Sequence, residues 1–178
     1  MEKLLISACL LGCTCRYDGA SRPLTPALLE ALRHCFLLYP VCPEQAGGLP
    51  TPRLPCERQG RATVSNYDGE DVGAAYAKGA RAVYTLCCRL GCSVALFKER
   101  SPSCGVNFCY DGSFSGQLIQ GEGITTHLLR SAGIQVYSEE QIFSFLSDRR
   151  LTHAVYTPKP KFFERKMNYE LNTKQADI

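Results

Sequence analysis

KLLISACLLG, Lys3 to Gly12, decides the fold. Its first six residues, Lys3 to Ala8, form a short apolar run that ends in small residues, and so brief a run suits a buried strand better than a helix. The loop after it opens at Cys9. Next, TPALLEALRH (Thr25 to His34) supplies a Thr N-cap, a proline in the first turn and Leu28, Leu29 and Leu32 at helical spacing, so a helix follows the strand. FLLYPV (Phe36 to Val41) is a second short apolar strand. After it Pro43, Gly47, Gly48, Pro50, Pro52 and Pro55 come so densely that no regular element is expected.

The same alternation continues down the chain. Arg61 to Asn66 is a candidate extended segment before the YDG turn at Tyr67 to Gly69. From Val72 to Leu90, Val72, Ala75, Tyr76, Gly79, Ala80, Val83, Leu86 and Cys87 recur every three or four positions, with Gly91 as the stop, and this is the longest expected helix. SVALFK (Ser93 to Lys98) is a third buried-type strand, followed by an irregular loop, ERSPSCGVNFCYDGSFSG. Thr125 to Ala132 reads as a helix capped by Gly133, Ile134 to Tyr137 as a fourth strand, and Ser138-Glu139-Glu140-Gln141 opens a last helix through Leu146. Strand, loop and helix repeated four times predict a three-layer α/β domain over residues 1–148, with a mostly parallel sheet flanked by helices in the Rossmann-like or flavodoxin-like manner. Beyond about Leu151 the chain is polar and basic with no apolar stripe. Residues 149–178 are therefore expected to be an appended tail, extended or partly ordered, either packed on the surface through Phe162 and Phe163 or mobile.

A chain of 178 residues suits one domain, and 45% hydrophobic against 21% charged residues excludes wholesale disorder. A net charge of +3 is too balanced for a protein that works mainly by counterion release on nucleic acid, so no stable nucleic-acid binding is expected. No apolar stretch approaches the roughly 18 residues needed to span a bilayer, and the N-terminus lacks the pattern of an export signal. A soluble, cytoplasmic protein with no membrane partner is expected. The abnormal number is eleven cysteines, an odd count below the density of about 8–10% that marks disulfide scaffolds. In a reducing compartment they point to metal binding or thiol chemistry.

In sheets of this kind the ligand crevice lies beyond the carboxyl ends of the strands, and the loops leaving those ends carry Cys9, Cys42 and Cys104. Cys35, Cys87, Cys88 and Cys92, in or beside helices and strands, read as small buried hydrophobes. Cys13, Cys15, Cys56 and Cys109 join the first three in loops, where scaffold-held functional groups concentrate. Cys13-Thr14-Cys15 has no matching pair for a zinc site, and His34, His127 and His153 fall in helices or tail. An iron–sulfur cluster imposes no single spacing, and three thiolates from separate loops would leave one iron open as a Lewis acid. Spacing by itself leaves three readings open: a catalytic metal or cluster enzyme, a non-catalytic iron–sulfur or zinc-binding protein, and a metal-free enzyme with Cys15 or Cys104 as nucleophile.

Several longer motifs bear on that choice. SACLLGxxCRYDG at Ser7 to Gly19, PVCPEQxGGLPTPR at Pro40 to Arg53, DGEDV at Asp68 to Val72 and KERSPSCG at Lys98 to Gly105 resemble the DUF523 family, and YDGSFSG at Tyr110 and GEGITTHLLRSAGI at Gly121 extend the likeness. The resemblance covers about Met1 to Leu146, and the family includes thiouracil desulfurases. It implies a 4Fe–4S cluster cofactor held by Cys9, Cys42 and Cys104. It also implies a small-molecule thiolated base as substrate, with the thiocarbonyl sulfur taken by the open iron so that water attacks the ring carbon without redox change. Soft sulfur on iron is the physical reason for preferring thio over oxo bases. Glu44, two residues after Cys42, is the expected proton-transfer group, and Ser101 the expected substrate or relay contact. Cys15 and Asp18 of the CRYDG motif are expected near the pocket, Cys15 as an auxiliary thiol and Asp18 to fix Arg16 or a turn.

Overall fold

The computed structural model describes residues 1–60 and 63–148, and the short apolar runs become its sheet. In chain order the elements are β1 (Glu2–Ser7), a 3-10 turn (Ala8–Leu11), α1 (Pro26–Cys35), β2 (Phe36–Val41), α2 (Pro43–Ala46), β3 (Cys56–Gln59) and β4 (Thr63–Asn66). There follow α3 (Gly73–Leu90), β5 (Val94–Phe97), β6 (Phe108–Tyr110), β7 (Leu118–Gln120), α4 (Ile124–Ser131), β8 (Gln135–Ser138), a second 3-10 turn (Glu139–Gln141) and α5 (Ile142–Asp148). The main sheet runs β2-β1-β5-β8 with every neighbouring pair parallel. Pro40, which cannot donate to a ladder, is tolerated because β2 is an edge strand.

Alternation along the strands assigns the two faces. Leu4, Ile6, Val94 and Leu96 pack with Leu32 of α1 and with Ile142 and Phe145 of α5, where Phe36 and Phe145 stack at 5.4 Å. Leu5, Ala95, Phe97 and Val136 pack on the other side with Val83 and Cys87 of α3 and Leu129 of α4. Leu4, Leu5 and Ile6 are fully buried, as a strand covered on both faces requires. The chain thus builds the expected three-layer α/β architecture. The sheet grows from β1 to β2 on one side and to β5 on the other, which makes the carboxyl ends of β1 and β5 the topological switch point.

Local signals hold where they are strong. The Thr25 hydroxyl accepts the Leu28 N–H at 3.4 Å to start α1, Gly91 ends α3 with φ 66°, and Gln141 Oε1 accepts the Ser138 N–H at 3.1 Å. Three expectations are corrected. The proline-rich segment after Val41 contains α2, because Pro43 stands at its first turn, where a missing N–H does no harm. The loops around Cys56 and Cys109 contain two antiparallel hairpins, β3–β4 and β6–β7, of which the sequence predicts only β4, inside the expected extended segment ending at Asn66. Cys87 and Cys92 are buried as expected, but Cys35 and Cys88 are exposed: Cys88 lies one position round α3 from the buried Cys87, and Cys35 ends α1. The expected tail, with His153, Phe162 and Phe163, lies outside the described residues, as do Arg61 and Ala62. Among the described residues no helix is long and apolar enough to cross a membrane.

Candidate active site

Three strand ends deliver three thiols to one place. Cys9 sits in the 3-10 turn after β1, closed by Gly12 at φ 96°, and its carbonyl accepts the Arg22 N–H at 3.0 Å. Cys42 directly follows β2 and is the N-cap of α2. Cys104 follows β5 in a loop organised by Ser101: Ser101 Oγ accepts the N–H groups of Ser103 and Cys104, both at 3.1 Å. On the far side Thr126 Oγ1 donates to the Cys104 carbonyl at 2.9 Å. Cys9, Cys42 and Cys104 all line a cavity of about 350 Å³, a volume suited to a small ligand. All three are free of disulfides.

Cys15 and Cys56 also line this cavity. Cys42 Sγ donates to the Cys15 carbonyl at 3.8 Å. The Cys15 thiol pulls the Cys42 pKa well up, and burial adds to it. For Cys15 itself the Cys42 thiol acts downward, but the Cys9 thiol and burial outweigh it, and the pKa is pushed up to about 11. Burial likewise holds Cys104 far above the ordinary thiol range, against smaller lowering effects of the Ser7 and Ser101 hydroxyls. These thiols are neutral unless a positive centre draws the protons off, the situation a metal reverses. Among the described residues no three His, Cys, Asp or Glu side chains converge tightly enough for a single ion. Three free thiols lining one cavity, with no histidine among its described lining residues, form a donor set whose chemistry suits an iron–sulfur cluster.

Beside the thiols stands a carboxylate with a defined orientation. Glu44, in the first turn of α2, pairs through Oε2 with Arg53, and its Oε1 accepts from Ser101 Oγ at 3.2 Å. Because Ser101 Oγ already accepts two N–H groups, its own proton is directed at Glu44. Arg53 is nearly buried, with 6% of its side chain exposed, and also donates to the carbonyls of Cys15 at 3.2 Å and Pro50 at 3.0 Å. It ties the CRYDG loop to the Glu44 carboxylate.

Of the seven residues singled out in the sequence, the cavity brings together Cys9, Cys42, Cys104, Cys15, Glu44 and Ser101. Asp18 is not among the lining residues. It holds Arg16, which is, through contacts of 3.1 and 3.0 Å, and hydrogen bonding to Arg16 lowers its pKa below the usual carboxylate range. Cys109 is buried away from the cavity, near the Ser101 and Gly121 carbonyls, and Cys13 is exposed. Sequence reasoning gave no role to Arg53, to Glu99 or to the cavity aromatics Tyr67, Tyr76 and Phe114. The LPTPR and KERSPSCG motifs contained the first two without a signal of what they bind.

Comparison with known proteins adds a relationship to this geometry. A family model described as 2-thiouracil desulfurase matches residues 4–141. A Bacillus subtilis (strain 168) protein, described as the uncharacterized protein YbbK, is 37% identical over 155 residues, covering 80% of this chain and 99% of its own. The solved structure of a 4Fe-4S-dependent thiouracil desulfidase, TudS (DUF523Vcz), is similar at 47% identity and a TM-score of 0.81, covering 85% of this chain and 100% of its own.

Proposed function

The chain belongs to the 2-thiouracil desulfurase family, and from that premise we propose that it replaces the thiocarbonyl sulfur of a 2-thiouracil-type base by oxygen, using a 4Fe–4S cluster held by Cys9, Cys42 and Cys104. The 47% identity to a 4Fe-4S-dependent desulfidase supports both the enzyme class and the cofactor. The observation that carries the assignment of residues is the meeting of three strand-end thiols with the Glu44–Ser101 pair in one cavity. In the net reaction one thiocarbonyl and one water give one carbonyl and one hydrogen sulfide. The C=S bond is exchanged for C=O, both protons of the water leave with the sulfur, and no electrons are transferred.

When bound, a cluster with only three thiolate ligands supplies a Lewis-acidic iron with affinity for soft sulfur. The chain's own groups handle position and protons. Glu44 Oε1 is the base: it accepts the proton of the attacking water and exchanges it with the Ser101 hydroxyl already donating to it. Arg53, on Oε2, holds the carboxylate plane fixed, and Glu44 lines the cavity. Cys15 serves as a neutral wall thiol, its pKa pushed up to about 11, and Asp18 keeps Arg16 at the rim. Eleven free cysteines and an iron–sulfur cofactor suit a reducing compartment, here the cytoplasm.

Glu44→Gln tests the proton-transfer role. Anaerobically reconstituted variant should keep its iron and visible absorbance while sulfide release from 2-thiouracil falls about 10²- to 10⁴-fold. Unchanged turnover would remove Glu44 from the mechanism, and no sulfide release by the cluster-loaded wild type would overturn the reaction.

A further inference from the structure

The end of α3 brings together two thiols that the reaction above does not use. Gly91 closes the helix with φ 66°; its N–H bonds to the Cys88 carbonyl at 3.1 Å, and the Cys92 N–H bonds to the Cys87 carbonyl at 3.0 Å. Those two bonds make a Schellman end, in which the side chains at the two outer positions, here Cys87 and Cys92, come into contact. An apolar pair ordinarily fills that contact. Here thiol meets thiol, and Cys87 Sγ donates toward the Cys92 backbone carbonyl at 3.3 Å. Both residues are fully buried, and neither is among the described residues that line the cavity.

The surroundings distinguish the two sulfurs. The Cys92 thiol drives the Cys87 pKa well up, and burial adds to it. Cys92 is held below the ordinary thiol range by the hydrogen bond from Cys87, against burial and the Glu2 charge, and the Lys3 ammonium assists. Lys3 is fixed there by its bond to the Leu90 carbonyl at 2.7 Å. A cation brought to the edge of a buried contact gains nothing in packing, but it favours a thiolate, the form that reacts.

We infer that Cys92 and Cys87 are a redox pair, which hydrogen peroxide converts to a disulfide joining the end of α3 to the chain entering β5. The Cys92 thiolate attacks one peroxide oxygen, the O–O bond breaks, and the departing hydroxide takes up the proton released by Cys92, leaving a sulfenic acid and water. The Cys87 sulfur then attacks the Cys92 sulfur, the S–O bond breaks, and the hydroxyl leaves as water with the Cys87 proton. In sum two thiols and one peroxide give one disulfide and two waters, with two electrons passing from sulfur to oxygen. Burial selects the oxidant. A bulky disulfide cannot align with either sulfur, whereas peroxide enters when the last turn opens beside the exposed Cys88, Arg89 and Gly91.

The chain itself supplies the readout, because trypsin cuts at Arg81, Arg89 and Lys98 and so separates Cys87 and Cys88, in Ala82 to Arg89, from Cys92, in Leu90 to Lys98. Cluster-loaded wild type, Cys88→Ser and Cys87→Ala are treated with hydrogen peroxide, unfolded in acid with a thiol-blocking maleimide, digested and weighed by mass spectrometry. Wild type and Cys88→Ser should give the two peptides joined, lighter than their sum by two hydrogens and separated again by dithiothreitol. Glutathione disulfide at the same concentration should leave them apart. Cys87→Ala should lose the joined peptide and carry two added oxygens on Cys92, since a sulfenic acid without its resolving thiol goes on to the sulfinic acid. No joined peptide in wild type while the exposed Cys13 and Cys35 are oxidised would overturn the inference. Loss of the joined peptide in Cys88→Ser, or its formation by glutathione disulfide as readily as by peroxide, would do the same, whether or not Cys87→Ala folds.

Discussion

Replacing Glu99 by glutamine removes the charge that organises the loop carrying Ser101 and Cys104. Glu99 is 2% exposed. Its Oε1 accepts the N–H groups of Val106, Asn107 and Phe108 at 2.7, 2.9 and 3.1 Å, and its Oε2 the Asn107 side-chain amide at 2.9 Å. A glutamine oxygen can replace Oε1, and Asn107 can turn its amide to meet the new amino group, so the loss is the charge on these three short backbone bonds; the fourth, from the Arg100 N–H, is longer at 3.4 Å. Bonds to a charged acceptor contribute about 1.5–3 kcal/mol against 0.5–1.5 for neutral ones, which puts the cost near 3 kcal/mol. For a chain of this size that lowers Tm by about 6–12 °C. Burial pushes the Glu99 pKa up, but the N–H groups of Asn107, Phe108 and Val106 outweigh it and hold it below the usual range. Its stabilisation is therefore complete above the unfolded-state value of about 4.3 and is lost as pH falls through the folded one. Thermal melts followed by circular dichroism should show a constant gap between wild type and Glu99→Gln from neutral pH down to about 5, closing below about 4. No gap at neutral pH, or one that persists undiminished in acid, would refute the reasoning.

Two further changes probe the link between fold and site. Arg53→Met should lower kcat/KM for 2-thiouracil by about 10²-fold with iron content retained, since Glu44 loses its anchor; Arg53→Lys should recover only part, because an ammonium cannot serve both Glu44 and the Cys15 carbonyl as the fork does. Gly79→Ala should destabilise by roughly 1–3 kcal/mol in chemical denaturation and lower iron content, although alanine is the better helix former. The added Cβ would collide with the Pro43 carbonyl, driving α2 and its neighbours Cys42 and Glu44 off α3.

What the sequence revealed depended on how local each signal was. The Thr25-Pro26 start of α1 and the Gly91 stop of α3 are set by adjacent residues, and both were legible. The placement of Cys9, Cys42 and Cys104 followed from the rule that parallel strands present ligands at their carboxyl ends. The hairpins were not legible: β3 is four residues, β6 and β7 three each, and β7 is wholly exposed, so alternation has no length in which to register. Pro43 reads as a breaker until its position at the first turn of α2 is known. Arg53 and Glu99 were hidden because their partners are backbone groups and residues brought close only by loop folding, and backbone groups carry no residue signature.

The central claim is that Cys9, Cys42 and Cys104 together hold the cluster. The most direct measurement is iron and acid-labile sulfide content after anaerobic reconstitution, in wild type, in the Cys9→Ala, Cys42→Ala and Cys104→Ala variants, and in Cys13→Ala and Cys109→Ala as controls. The account predicts about four of each per chain in wild type and both controls, with sharp loss in each of the three variants. Full iron and sulfide in any of those three, or zinc in place of iron in wild type, would contradict it.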